Sequence, residues 1–352
     1  MPRSPRREGQ DRYISIGWRG NRVTRPPKEP PYVVDPKVHG RFDQRKTVFM
    51  RSHWDQDADF YHIDYRDGAL EKIAAGLPGY SRVDFARLLA SWTVHDCFGG
   101  AFSWKRLGQA DPSMLQVEQY LVDDPTLMSH QVKETARLFG ADLVGICSVS
   151  SEWIYSRDRS GDPVEIPEAC THAIVMAIAM DKAGTGASPE YPSEAATGVG
   201  YSKMAFTIAC MAEFIRNLRY QAIPMGNDTA LSVPLAIDAG LGQMGRNGIL
   251  TTPEFGSCVR LCKVFTDLPL APDQPADFGL TETCRNCTRC ADACEADAIS
   301  RDREPSFEIA CPSNNPGILR WAVNADKCYQ FWAKNTAACS NCIVACPFSK
   351  IE

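Results

Sequence analysis

The sequence predicts a layered α/β core followed by a small cysteine-rich module at the C-terminus. Three observations carry this expectation. Strand and helix periodicities alternate between residues 130 and 266. Nine of the fifteen cysteines fall in the last seventy residues. Seven of these form two runs, C-x2-C-x2-C-x3-C at Cys284, Cys287, Cys290 and Cys294, and C-x2-C-x3-C at Cys339, Cys342 and Cys346 followed by Pro347. With 352 residues and 44% hydrophobic content the chain can bury a large core. Three units are expected: an N-terminal arm and helical unit over 1–120, the α/β domain over 121–280 and the cysteine module over 281–352.

Taken in order, the first fifty residues carry 12 Lys or Arg against 5 Asp or Glu, with prolines at Pro26, Pro27, Pro30, Pro31 and Pro36. An extended, solvated arm is expected there rather than a helix. The aromatic stretch around Trp54, Phe60 and Tyr61 is read as packing. Leu70, Ile73 and Ala74 lead into a Pro78-Gly79 turn, after which Ser81 caps a helix through Val83, Phe85, Leu88, Leu89 and Trp92. Residues 130–139 read as helix with Gly140 at its end, and Leu143 to Cys147 as a buried strand. Ala173 to Ala179 is its neighbour. A helix from Ser202 to Arg219 places Met204, Ile208, Met211, Ile215 and Leu218 on one apolar face. Ala222 to Met225 is a strand, Ser232 to Leu241 a helix with Pro234 in its first turn, and Cys258 to Thr266 a strand.

The cysteine spacing is that of bacterial two-cluster ferredoxins. Three thiolates two residues apart wrap one face of an iron-sulfur cube, and the fourth ligand must come from elsewhere in the chain. Cys284, Cys287, Cys290 and the distant Cys346 are therefore assigned to one [4Fe-4S] cluster, and Cys294, Cys339 and Cys342 to a second. The regular spacing would put the missing ligand at position 336, which is Thr336. Cys328 is the first candidate and Cys311 the second. Zinc or disulfides are the alternatives, but zinc sites usually combine two separated C-x2-C pairs. Glu295 stands where a proline often follows the first run.

Residues 240–248, GLGQMGRNG, are glycine-rich enough for the backbone to approach a planar or phosphate-bearing ligand. As a dinucleotide motif the stretch is weak, because it ends a helix instead of following a strand and opening one.

Several blocks carry a family resemblance. TGVGYSKMAF, IPMGNDTALSVPLAIDAGLGQMGRNGILTTPEFG, VRLCKVFTDLPLAPD and ADKCYQFWAKNTAACSNCIVACPFSK resemble the corrinoid-dependent reductive dehalogenases, as do ARLFGADLVGICSVSSEWIYS and RFDQRKTVFMR. GLGQMGRNG alone is shared with the related epoxyqueuosine reductases. The resemblance implies a nitroreductase-like corrinoid-binding core, a ferredoxin-like module with two [4Fe-4S] clusters, and a cobamide of the cobalamin or norpseudo-B12 type bound base-off. It also implies that a small organohalide is the substrate. By motif, Tyr201 becomes the proton donor, with Asn227 and Arg260 beside it and Arg246 as the fallback partner. Corrinoid contacts are expected at Thr197, Gly200, Met204, Gly240, Gly242, Gly245, Arg246 and Asn247.

Ordinary chemistry agrees with these roles. A phenol with a reference pKa near 10 is a poor acid at neutral pH, and an adjacent guanidinium stabilises the phenolate left behind. Asn227 is expected either to bond the departing halide or to fix the tyrosine. The plain structural reading is that Tyr201 caps a helix, Asn227 supports a turn and Arg260 is paired on a strand. Cys258 stands where the family has the arginine of G-P-R, which leaves Arg260 as the partner. The chain has no D-x-H-x-x-G, and none of His39, His53, His62, His95, His130 and His172 lies in the segment 197–266 assigned to the pocket.

The net charge of -5 gives no reason to expect nucleic acid, which argues against an epoxyqueuosine-type reductase. An electron-transfer or corrinoid-carrier protein without turnover is the alternative from another class. No apolar run is long enough to span a membrane. Arg6 and Arg7 are adjacent but no apolar segment follows, so the chain is expected in the cytoplasm, or exported by a twin-arginine route with the leader absent. A low-potential donor, such as a ferredoxin, flavodoxin or reductase, is the expected partner, with a homodimer as a further possibility.

Overall fold

The computed structural model describes residues 32–63, 66–97 and 118–351. The prolines up to Pro31 and the Arg6-Arg7 pair lie outside the described residues. Four short helices come first: α1 (Val48–Trp54), α2 (Ala69–Ala74), α3 (Arg82–Ser91) and α4 (Thr93–Cys97). The central part then runs α5 (Pro125–Leu138), β1 (Leu143–Ser148), β2 (His172–Ala179), α6 (Lys182–Gly186), α7 (Tyr191–Asn217), β3 (Ala222–Met225), α8 (Ser232–Asp238), β4 (Gln243–Met244), β5 (Leu250–Thr251) and β6 (Val259–Thr266). After it come α9 (Leu280–Asn286), α10 (Arg289–Asp292), α11 (Ala325–Asn335) and α12 (Asn341–Val344).

Four strands form one sheet in the order β1-β2-β6-β3, with every pairing antiparallel. Residues 173–178 of β2 are buried on both faces, as a central strand covered by helices requires. Period-two alternation sends Ile174, Met176 and Ile178 of β2 with Cys262 and Val264 of β6 toward α5 and α7. Ala173, Val175 and Ala177 with Val259, Leu261 and Phe265 face α8 and Trp153. Each large apolar side chain buried this way contributes roughly 1.5–3 kcal/mol, so the two layers hold the sheet between them. β3 pairs with β6 only from Lys263 to Thr266, opposite Met225 to Ala222. The chain then turns away, and among the described residues no strand pairs with the Arg260 end of β6 on that side. The site is built in that opening.

Most element expectations hold, with differences at helix ends. Ser81 caps α3 with a capping box closed by Asp84. The helix expected from residue 130 begins earlier, because Asp124 caps Pro125 and the next residues. The helix expected to start at Ser202 starts at Tyr191. Gly198 and Gly200 lie in the added turns, and their missing side chains let α3 and Arg260 come close. α8 stops at Asp238, three residues short of the expected Leu241, where Gly240 takes φ +73°.

The N-terminal residues pack on the C-terminal ones. Arg51 bridges Asp55 and Asp326, each at 2.7 Å, and Phe49 meets Tyr329 and Trp332 at ring distances of 5.6 and 5.7 Å. Phe60, read as packing, is 1% exposed and touches Tyr329, whereas Trp54 is exposed.

Candidate active site and cysteine cavities

Tyr201, Asn227 and Arg260 come together from α7, the turn after β3, and β6. Asn227 Nδ2 donates to Tyr201 Oη at 2.5 Å. The Arg260 guanidinium lies over the tyrosine ring, 5.2 Å from its centroid, and donates from Nη2 to Thr197 Oγ1 at 3.2 Å. Asparagine therefore touches the phenol oxygen, while the arginine charge sits on the ring face. Tyr201 lies within α7, about three turns in, and does not cap it. Trp92, from the end of α3, stacks on its ring at 5.0 Å and 24°, and His95 of α4 meets it edge-on at 5.3 Å.

Two cavities meet at Tyr201 and Trp92. The smaller, about 340 Å³, is lined by Thr197, Arg260 and Asn247 on one side and by Cys294, Cys328, Cys339 and Cys342 on the other. The larger, about 650 Å³, is lined by Asn227, His53, His95, Gln44, Asn315 and Arg159, among others. None of the six histidines lies in the segment 197–266, yet two of them line this cavity. His53 and His95 come from helices outside the segment 197–266, brought in by tertiary packing.

The other quartet, Cys284, Cys287, Cys290 and Cys346, lines a third, tight cavity of about 20 Å³ together with Gly245, Arg246 and Asn247. Thus the two sets of four grouped from the sequence each surround one cavity. Cys328, not Cys311, lines the same space as Cys294, Cys339 and Cys342. Burial pushes the Cys290 and Cys328 thiols up to about 12, so as bare side chains they are inert. Among the described residues no three His, Cys, Asp or Glu side chains are arranged to hold a single metal ion.

The remaining expected contacts separate. Thr197 and Asn247 line the smaller cavity. Met204 is fully buried in the layer between α7 and the sheet, so packing accounts for it. A side chain at Gly200 would meet Arg260 Cγ at 2.9 Å, and one at Gly242 would meet the Thr251 carbonyl at 2.2 Å. Gly240 and Gly245 likewise press on the chain's own atoms. These glycines are explained by internal close approach. The glycine-rich stretch spans the β4–β5 hairpin and opens no helix, which removes the context a dinucleotide site needs. Arg246 does not reach Tyr201: it bonds the carbonyls of Cys284, Cys287, Ser300 and Asp302. Cys258 is buried against Met180 O and Thr185 Oγ1.

No family model matches the chain. Among curated proteins, a tetrachloroethene reductive dehalogenase of Desulfitobacterium hafniense is 37% identical over 295 residues, covering 72% of this chain and 53% of that protein. The chain belongs to the reductive dehalogenase family. The tetrachloroethene reductive dehalogenase of Sulfurospirillum multivorans is 36% identical over 257 residues, 64% of this chain and 51% of that protein. The chain thus spans about half the length of the curated family members it matches. An epoxyqueuosine reductase of Lactococcus garvieae is 32% identical over 34% of this chain and 32% of that protein. A solved reductive dehalogenase structure, described as suggesting a mechanism for B12-dependent dehalogenation, superposes with a TM-score of 0.72 at 22% identity, covering 93% of this chain and 44% of that one. A catabolic reductive dehalogenase in complex with 3-bromo-4-hydroxybenzoic acid gives 0.69 at 23% identity, over 93% and 44%. These structures share the mixed α/β fold.

In this reductive dehalogenase family member the sequence missed three contributors besides the histidines. Trp92 read only as one apolar residue of a helix. Gln44 sits in the arm, 2% exposed, with Oε1 unpartnered. Lys263 is fully buried on the sheet face opposite Arg260, and its Nζ donates to Gly226 O at 2.6 Å, Asp228 O at 3.2 Å and Ala230 O at 2.7 Å. It therefore clamps the turn that carries Asn227. Its neighbours in VRLCKVFTD offer no local signal for this, since any strand lysine would look alike.

Proposed function

We propose that the chain catalyses reductive removal of halide from a small organohalide, R-X + 2e- + H+ giving R-H + X-. The observation that carries the reading is a tyrosine, bonded by Asn227 and overlain by Arg260, on a cavity that four cysteines also line. In this reading residues 281–352 are a ferredoxin-like module beside a nitroreductase-like corrinoid core. Cys284, Cys287, Cys290 and Cys346 would hold one [4Fe-4S] cluster and Cys294, Cys328, Cys339 and Cys342 the other. The buried thiols fit, because coordination takes the proton's place where burial opposes a free thiolate.

The larger cavity suits a base-off cobamide. Asn315 is 6% exposed and lines it with neither amide atom bonded, as does Gln44 with Oε1 free. Buried amides left so are expected to find a partner, and the amide-bearing rim of a corrinoid would supply one. When bound, the cobamide would supply a strongly reducing metal centre, and the clusters would supply one-electron carriers beside it. A low-potential protein would donate those electrons.

This chain's residues handle the proton and the environment. Tyr201 holds the proton on Oη, beside the space where substrate would sit. As it leaves, the Asn227 amide N–H at 2.5 Å and the Arg260 charge stabilise the phenolate. Trp92 covers the ring and excludes water from that face. The apolar walls, including Phe49, Phe331 and Trp332, suit a halogenated hydrocarbon better than a charged substrate.

The test is anaerobic preparation with cobalamin, iron and sulfide supplied, followed by metal analysis and a halide-release assay. About eight iron and about one cobalt per chain are expected for two four-iron cubes and one corrinoid. Tyr201→Phe is expected to lower halide release by roughly 10²–10⁴-fold, the range of a lost general acid, with metal content unchanged. Iron without cobalt would sink the corrinoid mechanism. Intact metals with no halide release would leave a carrier.

A further inference from the structure

Arg246 is 1% exposed, and each of its hydrogen bonds goes to an uncharged carbonyl: Cys284 O at 2.5 Å, Asp302 O at 2.7 Å, Ser300 O at 2.9 Å and Cys287 O at 3.0 Å. The guanidinium also lies over Trp321, 4.9 Å from the ring centroid. Among the described residues none of its hydrogen bonds or ion pairs is to a carboxylate. Asp302 offers its backbone oxygen, while its carboxylate accepts from Ser300 Oγ at 2.7 Å. Taking a charge out of water is costly unless an opposite charge takes the place of solvent. Arginine stays protonated under all ordinary conditions, so it cannot shed the charge. Among the described residues the fold therefore holds a buried cation with no carboxylate bonded to it.

The side chain that carries it lines the cavity surrounded by Cys284, Cys287, Cys290 and Cys346. Resting on the cluster assignment proposed above, we infer that Arg246 is the counter-ion of the first iron-sulfur cluster and sets its reduction potential above that of the second. Four thiolates around a doubly positive cube leave two negative charges. One electron from an external donor makes three, with no bond broken and no proton taken up. A fixed cation alongside favours the more negative state, and net charge and local electrostatics are among the quantities that set such potentials.

The second quartet is surrounded differently. Its sulfurs receive neutral donors, with Ala298 N and Asn341 N each at 3.4 Å from Cys294 Sγ and Cys339 Sγ. The buried Glu194 carboxylate accepts from Ala338 N at 2.9 Å, next to Cys339, and is itself paired with Arg66. Arg260 lines the far side of the second quartet's cavity, but its guanidinium is engaged by Thr197 and the Tyr201 ring, and Glu295 lines that cavity with the opposite charge. The charge asymmetry thus favours the first electron resting on the cluster remote from Tyr201, which holds it until a second arrives.

The experiment is an anaerobic redox titration followed by electron paramagnetic resonance, on holoprotein of verified iron content, comparing the wild type with Arg246→Gln and Arg246→Lys. The wild type is expected to show two resolved one-electron waves. In Arg246→Gln the upper wave alone should move down by about tenfold in the reduced-to-oxidised ratio at fixed potential, about 59 mV for one electron. Arg246→Lys, which keeps the charge and loses the planar fork, should stay close to wild type. Unmoved waves in Arg246→Gln at full iron content, or equal shifts in both variants, would overturn the inference, the latter because loop geometry and not charge would then be responsible. Should Arg246→Gln fail to assemble, the lysine variant decides: a retained upper wave supports the charge account and a tenfold drop rejects it. A wild type that never binds iron would instead reject the cluster assignment itself, so the two failures are distinguishable.

Discussion

Asp238, at the end of α8, sits beside the larger cavity with Tyr32 Oη donating to both carboxylate oxygens at 2.8 and 3.1 Å. Burial lifts its carboxyl to about 6 from the ordinary 3.8, and the tyrosine bond only partly opposes this. The folded chain therefore binds a proton there more tightly than the unfolded chain does. Stability from this group is full below pH 3.8 and is lost as pH rises through about 6. Asp238→Asn keeps the acceptor for Tyr32 and has no charge to bury. Anaerobic urea unfolding between pH 5 and 7 should show the variant gaining on the wild type as pH rises, by at most about 3 kcal/mol, since one pKa unit corresponds to about 1.4 kcal/mol. A pH-independent difference would mean that Asp238 titrates normally. The same scale contains the chemistry: the roles of Tyr201, Asn227 and Arg260 rest on motif matches, and nothing about an isolated tyrosine in a helical pattern separates a proton donor from a packed ring.

At the scale of elements, α7 joins the core to the site. Its C-terminal half is legible in the sequence because Met204, Ile208, Met211 and Ile215 repeat at helical spacing. Its N-terminal half is not, because TGVGYS carries no large apolar residues at helical spacing. Those small residues are helical and serve contact instead: a side chain at Gly198 would meet Ser91 Oγ at 2.2 Å and the Trp92 ring at 2.8 Å. Gly198→Ala should therefore lose more by overpacking, roughly 1–3 kcal/mol, than it gains from helix propensity, about 1 kcal/mol. It should also shift Trp92 off Tyr201. Thermal unfolding and halide release together check this, and an equal or higher melting temperature with full activity would show that α3 yields freely.

At the scale of the whole molecule, the N-terminal and C-terminal parts stabilise one another through Arg51, Phe49 and Phe60 against α11. Binding a cluster couples to folding when its ligands come from distant parts of the chain, as the proposed ligands Cys284 and Cys346 do. Removing iron with a chelator under reducing conditions should raise hydrogen exchange over residues 284–346 and also over 48–60, which lean on α11, while β2 and β6 stay protected. Uniform exchange along the chain, or loss confined to the cysteine loops, would show that the N-terminal segment is held independently. Among the described residues no helix is long and apolar enough to cross a membrane.

By itself the sequence determined what is local and periodic. The cysteine spacing sorted the thiols into the two sets that line separate cavities, with Cys328 as the member out of register. Short runs of mostly apolar residues located each strand of the four-stranded sheet, since a strand covered on both faces needs apolar side chains on each. Only the tertiary structure decided what depends on distant segments meeting. It brought His53, His95, Trp92 and Gln44 to Tyr201, placed Met204 in the core, tied Arg246 to the first cysteine run and set Lys263 under the Asn227 turn. Such contacts arise from antiparallel register and from helices crossing at glycines, and these long-range pairings leave no periodic trace in the chain.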